Sequence, residues 1–261
     1  DGMTGPTTVV DSLGALDVKG AVVCIGNFDG VHLGHRALLA RMREVAVSQD
    51  LPSVVVTFFP PAKVVFGTAT YLSSAEEKLE QLAEYRPTAV VMQRFSREFA
   101  QTDKAVFVDR LRRLAPHTII VGEDFRFGHQ RLGTLNDLSP IAGRLEAFGL
   151  ITSGGEVVKS SRVREHLAAG RIDAANALLG GPYPVRGEVM TGAQRGRTIG
   201  YPTANILPPE GLVQLADGIY ASLTHLPNER EPVPSMTYVG TRPALNTGRR
   251  LIETHLLDFD G

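Results

Sequence analysis

Two imidazoles stand three residues apart among glycines in Gly26-Asn27-Phe28-Asp29-Gly30-Val31-His32-Leu33-Gly34-His35, directly after an apolar run at 21–25 and at the start of a helical pattern. At the carboxyl end of a parallel strand, glycines let the backbone approach a polyphosphate. The helix start beyond it offers unpaired N–H groups and a partial positive charge. His32 and His35 share one face of that start and can stabilise the charge that builds on a phosphorus undergoing displacement. Two other readings fit the residues alone. The histidines could cap or pack an ordinary strand-to-helix turn, or they could bind a metal. For a metal no third ligand is apparent nearby, and Asp29 need not face the histidines.

Two further segments bring chemistry to strand or helix ends. Ser160, Ser161 and Arg164 at a helix start form an anion-binding terminus suited to phosphates or departing pyrophosphate. Gly122-Glu123-Asp124-Phe125-Arg126-Phe127-Gly128 follows another strand end, where Asp124 and Arg126 among aromatics could line a ligand pocket. Taken singly, an arginine at a helix start is more often solvent-facing, and the Phe125/Phe127 alternation more often core. Their combination at successive strand ends is what points to a site.

The elements that must position these groups are legible as alternating patterns. Short β-branched runs at 21–25, 52–58, 89–92 and 118–121 alternate with helical spacing at 36–48, 75–85 and 104–114. The runs are nearly all apolar, as in a parallel sheet with helices on both faces, so we expect a Rossmann-like three-layer α/β domain. Residues 162–179 read as one or two helices ending at Gly180-Gly181-Pro182, where we place a boundary: 1–181 and 182–261. Beyond it, short alternating segments at 185–190, 218–223, 236–239 and 251–257 suggest a small antiparallel β domain.

The bulk composition excludes some functions. With 261 residues, 43% apolar residues and a formal charge of -1, the chain is an ordinary folded protein without the basic patch of a nucleic-acid binder. Its one cysteine, Cys24, lies in an apolar run and excludes an intrachain disulfide or a thiolate cage. No apolar stretch is long enough to cross a bilayer, and the first residues lack a secretion signal, so a cytoplasmic location is expected. The sequence says nothing of oligomeric state. The opening Asp1-Gly2-Met3 and the stop at Gly261 within an apolar-to-acidic segment lead to the expectation that neither end is natural.

The glycine–histidine segment resembles the HxGH nucleotidyltransferases, and its GxFDGVHxGH form is similar to the FAD synthetase branch. Gly26, Phe28, Asp29, Gly30 and Gly34 accompany His32 and His35 in that form. Gly122 to Gly128 matches the family's GxDFRFG segment, and Lys159-Ser160-Ser161-Arg162-Val163-Arg164 resembles its SSTxIR segment. Thr57-Phe58-Phe59-Pro60-Pro61 falls where the family has a TF-acidic-PHP segment. In this chain Phe59 stands for an acidic residue, Pro61 for a histidine and Lys159 for a serine.

The later segments resemble riboflavin kinase. Gly192, Arg195, Gly196, Arg197 and Gly200 form a basic glycine loop that can fold over phosphates, and it leads into Pro202-Thr203-Ala204-Asn205, a rigid polar turn that matches a PTAN signature. Thr203 and Asn205 would supply two oxygens to Mg²⁺. Gly240-Thr241-Arg242-Pro243 and Ile252-Glu253-Thr254-His255 continue the likeness, which implies that Glu253 is the base for the riboflavin 5′-hydroxyl. The alternative is a glycine-rich hairpin with an exposed strand carboxylate.

Together the resemblances imply a bifunctional enzyme with ATP and Mg²⁺ as cofactors, riboflavin and FMN as substrates and FAD as product. Its second module would be a small antiparallel β-barrel, cut short at its C-terminus and for that reason a weak kinase. The rival functions are another HxGH nucleotidyltransferase acting on a small phosphate ester, and a non-catalytic flavin-binding regulatory protein.

Overall fold

A computed structural model of the chain describes residues 6–190, 203–227, 229–241 and 250–259. They divide into two compact units, Asp1–Val163 with Asn176–Gly181, and Arg164–Ala175 with Pro182–Gly261.

In the first unit, strands β1 (Thr8–Val10) and β2 (Val22–Ile25) lead to helix α1 (Leu33–Gln49). Strand β3 (Ser53–Phe59), helices α2 (Ala62–Val65) and α3 (Ala75–Ala83), strand β4 (Ala89–Arg94) and helix α4 (Lys104–Arg112) follow. The unit continues with β5 (Thr118–Gly122), α5 (Leu135–Leu138) and β6 (Arg144–Phe148). A two-stranded antiparallel pair, β7 (Thr152–Ser153) and β8 (Glu156–Val157), precedes α6 (Ser160–Ala168) and α7 (Ile172–Leu179), whose residues are divided between the two units. The six main strands form one parallel sheet in the order β1-β4-β3-β2-β5-β6.

Side chains alternate across a strand, so each central strand feeds two cores. Val22 and Cys24 face Leu38, Leu39 and Met42 of α1, while Val23 and Ile25 join Phe107 and Leu111 of α4 on the other side. Both faces are dry, which explains why β2 to β5 read as continuous apolar runs. Burial pushes the Cys24 thiol far up, in keeping with the packing role expected for it. Helix starts are fixed locally: Ser74 and Glu77 close a reciprocal capping box at α3, and Asp103 accepts from the Ala105 N–H at 2.7 Å at α4. The strand order reverses at β2, whose neighbours are β3 and β5. In open α/β sheets ligands bind beyond the carboxyl ends of strands at such a reversal.

The second unit holds β9 (Glu188–Met190), β10 (Ala204–Leu207), β11 (Gly218–Thr224), β12 (Val233–Thr241) and β13 (Arg250–Leu256). They form an antiparallel sheet in the order β11-β12-β13-β10-β9. A row of hydroxyls stitches its inner side: Ser222 to Thr237 at 2.7 Å, Thr237 to Thr254 at 2.9 Å, and Ser235 to Thr224 at 2.8 Å. The α/β class and the following antiparallel β unit are as the sequence predicts. One local difference concerns Ala204 and Asn205, expected within a rigid polar turn at 202–205: they begin strand β10, where Asn205 pairs with both β9 and β13.

Candidate functional sites

The loop from Gly26 to His32 leaves the carboxyl end of β2, and its backbone departs from the regions that L-residues favour. Phe28 and Val31 have φ of 47° and 40°, and Gly30 has φ of 80°. For the two non-glycine residues this conformation carries a strain of about 1–3 kcal/mol each, so the surroundings must hold it. They do so through the loop's own polar groups. The Asn27 carbonyl accepts from the Thr57 hydroxyl at 3.0 Å and from Lys78 Nζ at 2.8 Å. The Asp29 carbonyl accepts from Ser160 Oγ at 2.9 Å, and the Val31 carbonyl from Arg36 Nε at 3.1 Å. Asp29 is buried, and its Oδ1 accepts from the Leu72 N–H at 2.8 Å. The Gly30 N–H donates to Ser73 Oγ at 3.2 Å, and a Cβ at Gly30 would stand 2.7 Å from Leu72 Cδ1.

The two histidines meet at the mouth of this loop. His32 caps α1, its Nδ1 accepting from the His35 N–H at 3.3 Å. The rings stack with centroids 3.6 Å apart and 13° between planes, and Phe28 packs edge-on against His35 at 5.2 Å. Capping and a shared histidine face, set against each other in the sequence reading, coexist in one arrangement. Gly34 lies within the first turn, where a Cβ would stand 3.2 Å from the His32 ring. Burial holds the His35 imidazole well below its ordinary range, helped by the neighbouring His32 and by the Lys78 ammonium. His35 is thus neutral near pH 7. Its buried Nδ1 has no hydrogen-bond partner among the described residues.

The remaining expected residues of this unit fall into two groups. Gly122 ends β5, the strand beside β2, and the segment after it brings Asp124 and Arg126 to the surface. Phe127 is buried against Phe107 with centroids 5.1 Å apart, and Phe125 stacks on Phe127 at 5.7 Å. These two rings build the core under the segment. Gly128 has φ of 72°. Ser160 and Ser161 begin α6, with Ser160 joined to the loop as described. Arg164 lies one turn further along α6, among the residues that group with the second unit. The lysine at 78, Ser73 and Arg36 were not singled out from the sequence. Lys78 shares an i, i+4 stripe with Leu82, which was the available signal.

In the second unit the strand register brings three expected residues to one face. Asn205 of β10 is paired directly with Glu253 of β13, and Glu253 in turn with Tyr238 of β12. Thr203 precedes Asn205 by two residues, so an extended chain puts both on the same side. Thr203 is exposed, while Asn205 and Glu253 are half-buried. Two hard side-chain oxygens beside a carboxylate suit Mg²⁺ completed by phosphate and water oxygens. Gly192, Arg195, Gly196, Arg197, Gly200 and Pro202 lie outside the described residues, as do Arg242 and Pro243.

The first unit, with its pinned loop at the reversal of a parallel sheet, has the architecture of a nucleotidyltransferase, and an antiparallel β unit follows it in the chain. The family model described as FAD synthetase matches residues 15–162, and that described as riboflavin kinase matches residues 179–261. The bifunctional riboflavin kinase/FMN adenylyltransferase of Escherichia coli (strain K12) is 37% identical over 259 residues, covering 95% of this chain and 82% of that one. The protein of the same name from Listeria monocytogenes is 33% identical over 247 residues, covering 91% and 78%. A crystal structure described as a macrolide-efflux protein from Streptococcus pneumoniae superposes with a TM-score of 0.84 at 26% identity, covering 98% of this chain and 86% of that one. The chain belongs to the bifunctional riboflavin kinase/FMN adenylyltransferase family. No helix among the described residues is long and apolar enough to cross a membrane.

Proposed function

We infer that the chain carries out two successive phosphorus displacements, each in its own unit. At the second unit ATP phosphorylates riboflavin. The 5′-hydroxyl oxygen bonds to the γ-phosphorus, its proton passes to Glu253, and ADP leaves with the broken P–O bond. At the first unit a phosphate oxygen of FMN bonds to the α-phosphorus of another ATP, and pyrophosphate departs, giving FAD. His32 and His35 donate to the oxygens on which charge builds in that step. The observation that carries this assignment is the stacked histidine pair at the mouth of a loop whose carbonyls are held by other groups. A neutral His35 supports it further, because an uncharged donor needs no counter-ion before the nucleotide binds.

Thr203 and Asn205 would hold Mg²⁺ in the kinase unit, where a bound ion draws off phosphate charge. Glu253 and Asn205 face one another across paired strands, which supports the carboxylate's place beside the γ-phosphate. Asp124, Arg126, Ser161 and Arg164 are assigned to nucleotide or flavin contacts, and the 192–200 glycine–arginine loop to the kinase phosphates. A functional boundary at 181/182 accords with family matches ending at residue 162 and resuming at 179. The test is a chromatographic time course of riboflavin, FMN and FAD with ATP and Mg²⁺. FMN should rise and then convert to FAD. A chain that turns over neither flavin refutes the assignment.

A further inference from the structure

Under the adenylyl-transfer loop lies a lysine with no exposed surface. Lys78 of α3 is 0% exposed, and its Nζ donates to the carbonyls of Asn27 at 2.8 Å and Phe58 at 2.9 Å. It also lies 5.4 Å from the centroid of the Phe59 ring. Taking an ammonium out of water is expensive, and a methionine or leucine would fill the same volume without that penalty. Burial indeed pushes the Lys78 amine down to about 8, with Asp29 opposing the fall. Packing alone therefore gives no reason for a charge here.

The groups that Lys78 holds supply the reason. Asn27 belongs to the loop after β2, and Phe58 to the end of the adjoining β3. The carbonyls of residues 27, 29 and 31 each have a donor outside the loop, from Lys78 and Thr57, Ser160, and Arg36 in turn. A carbonyl oxygen turned toward a polyphosphate repels it, whereas backbone N–H groups attract it. Drawing alternate carbonyls into protein donors removes that repulsion from the phosphate side.

We propose that Lys78 is a positioning residue for FMN adenylylation, holding the β2 loop to the end of β3 so that its carbonyls stay away from the nucleotide phosphates. The inference rests on the adenylyl-transfer reading above. The charged and titratable groups around it are Asp29 on the loop, which favours its charge, and His35 on α1, which its charge helps keep neutral. His32, stacked on His35, acts on that imidazole in the same sense.

The test uses the whole chain, whose riboflavin phosphorylation serves as an internal control. In Lys78→Met, kcat and kcat/KM for FAD formation should fall together by roughly 10²-fold, the scale expected when a reacting group is misplaced by about 1 Å. Riboflavin phosphorylation should be unchanged. The acid limb of the FAD-forming pH profile should move to higher pH, because His35 loses a neighbouring positive charge. A purely structural lysine would lower the unfolding temperature and leave both the profile and the turnover of folded protein as they were, and that result overturns the proposal. Two buried carbonyls lose a donor in this variant, so its fold is at risk. Thr57→Val removes the other donor to Asn27 and keeps the volume. It should lower FAD-forming kcat in the same direction by about tenfold, on the same positioning scale. Normal kcat in folded Thr57→Val also overturns the proposal. If the unaltered chain makes no FAD from FMN, the adenylyl-transfer reading fails; if it does and Lys78→Met matches it, only the role of Lys78 fails.

Discussion

The loop at 26–32 and the strand face carrying Asn205 and Glu253 place chemistry by different means. The loop is irregular and strained, and side chains from β3, α1, α3 and α6 hold its carbonyls one at a time. The strand face is regular, and register alone puts its groups side by side. A site of the first kind fails locally when one donor is lost. A site of the second kind tolerates loss of any neighbour that leaves the ladder intact, but a one-residue slip would turn all its side chains to the other face. The contrast teaches that sequence motifs of similar sharpness can rest on unequal structural support.

The strongest test of the contrast removes one of the groups assigned a role in transfer from each side. Glu253→Gln should lower riboflavin phosphorylation by about 10²- to 10⁴-fold, the usual contribution of a general base, and leave the conversion of FMN to FAD untouched. His35→Ala should do the reverse, slowing FAD formation by roughly 10²- to 10³-fold, which corresponds to loss of one charge-stabilising donor. Cross-effects of equal size in either variant would show that the two sites do not work separately. Both are read from initial rates with riboflavin or FMN as the starting flavin.

Legibility in the sequence followed the same divide. Strands β2 to β5 were readable because burial on both faces leaves only apolar residues, and α1, α3 and α4 because their apolar stripes face that sheet. Strand β6, Arg144–Phe148, escaped because it lies at the sheet edge and mixes Arg144 and Glu146 with apolar residues. The start of strand β10 reads as the end of a polar turn because Asn205 breaks the apolar pattern by which a strand is recognised. The paired histidines were visible as a motif. Most of their supports were not, since the acceptor Ser73 and the donor Lys78 lie far along the chain and only the tertiary fold brings them to the loop. Lys78 in particular sits among Glu76, Glu77 and Glu80, a composition that suggests a solvated face.

Two smaller effects sharpen the picture of a locally held loop. Gly30→Ala meets both a positive φ and a Leu72 contact at 2.7 Å, and should destabilise the first unit by about 1–3 kcal/mol in thermal unfolding. The pH dependence of stability supplies the other. His35 binds its proton less readily in the folded chain than its ordinary value of 6.5 would allow, so the unfolded chain takes up more protons as pH falls below that value. Stability should decline on acidification below about pH 6.5, above the range where the depressed carboxyls of Asp137 and Glu146 contribute. Replacing His35 with glutamine should flatten this part of the curve; an unchanged slope would mean that His35 is not held neutral. The smallest change expected in FAD formation is none: a fragment ending at Gly181 should convert FMN to FAD at the rate of the whole chain, although it loses riboflavin phosphorylation with the second unit.

The partners of the loop also set an order for synthesis. The loop residues leave the ribosome early, yet the hydroxyl that holds the Asp29 carbonyl is at position 160, and Arg36 divides its Nε–H between Val31 and the carbonyl of Leu179 at 3.0 Å. Gly180, with φ of 80°, lies where a Cβ would press on Leu33 at 2.7 Å. A nascent chain of 150 residues therefore contains the whole parallel sheet and both histidines but lacks the last pieces that fix the loop. Domains generally fold as units during translation, and in this one the residues made first wait for those made last before the site takes its final shape.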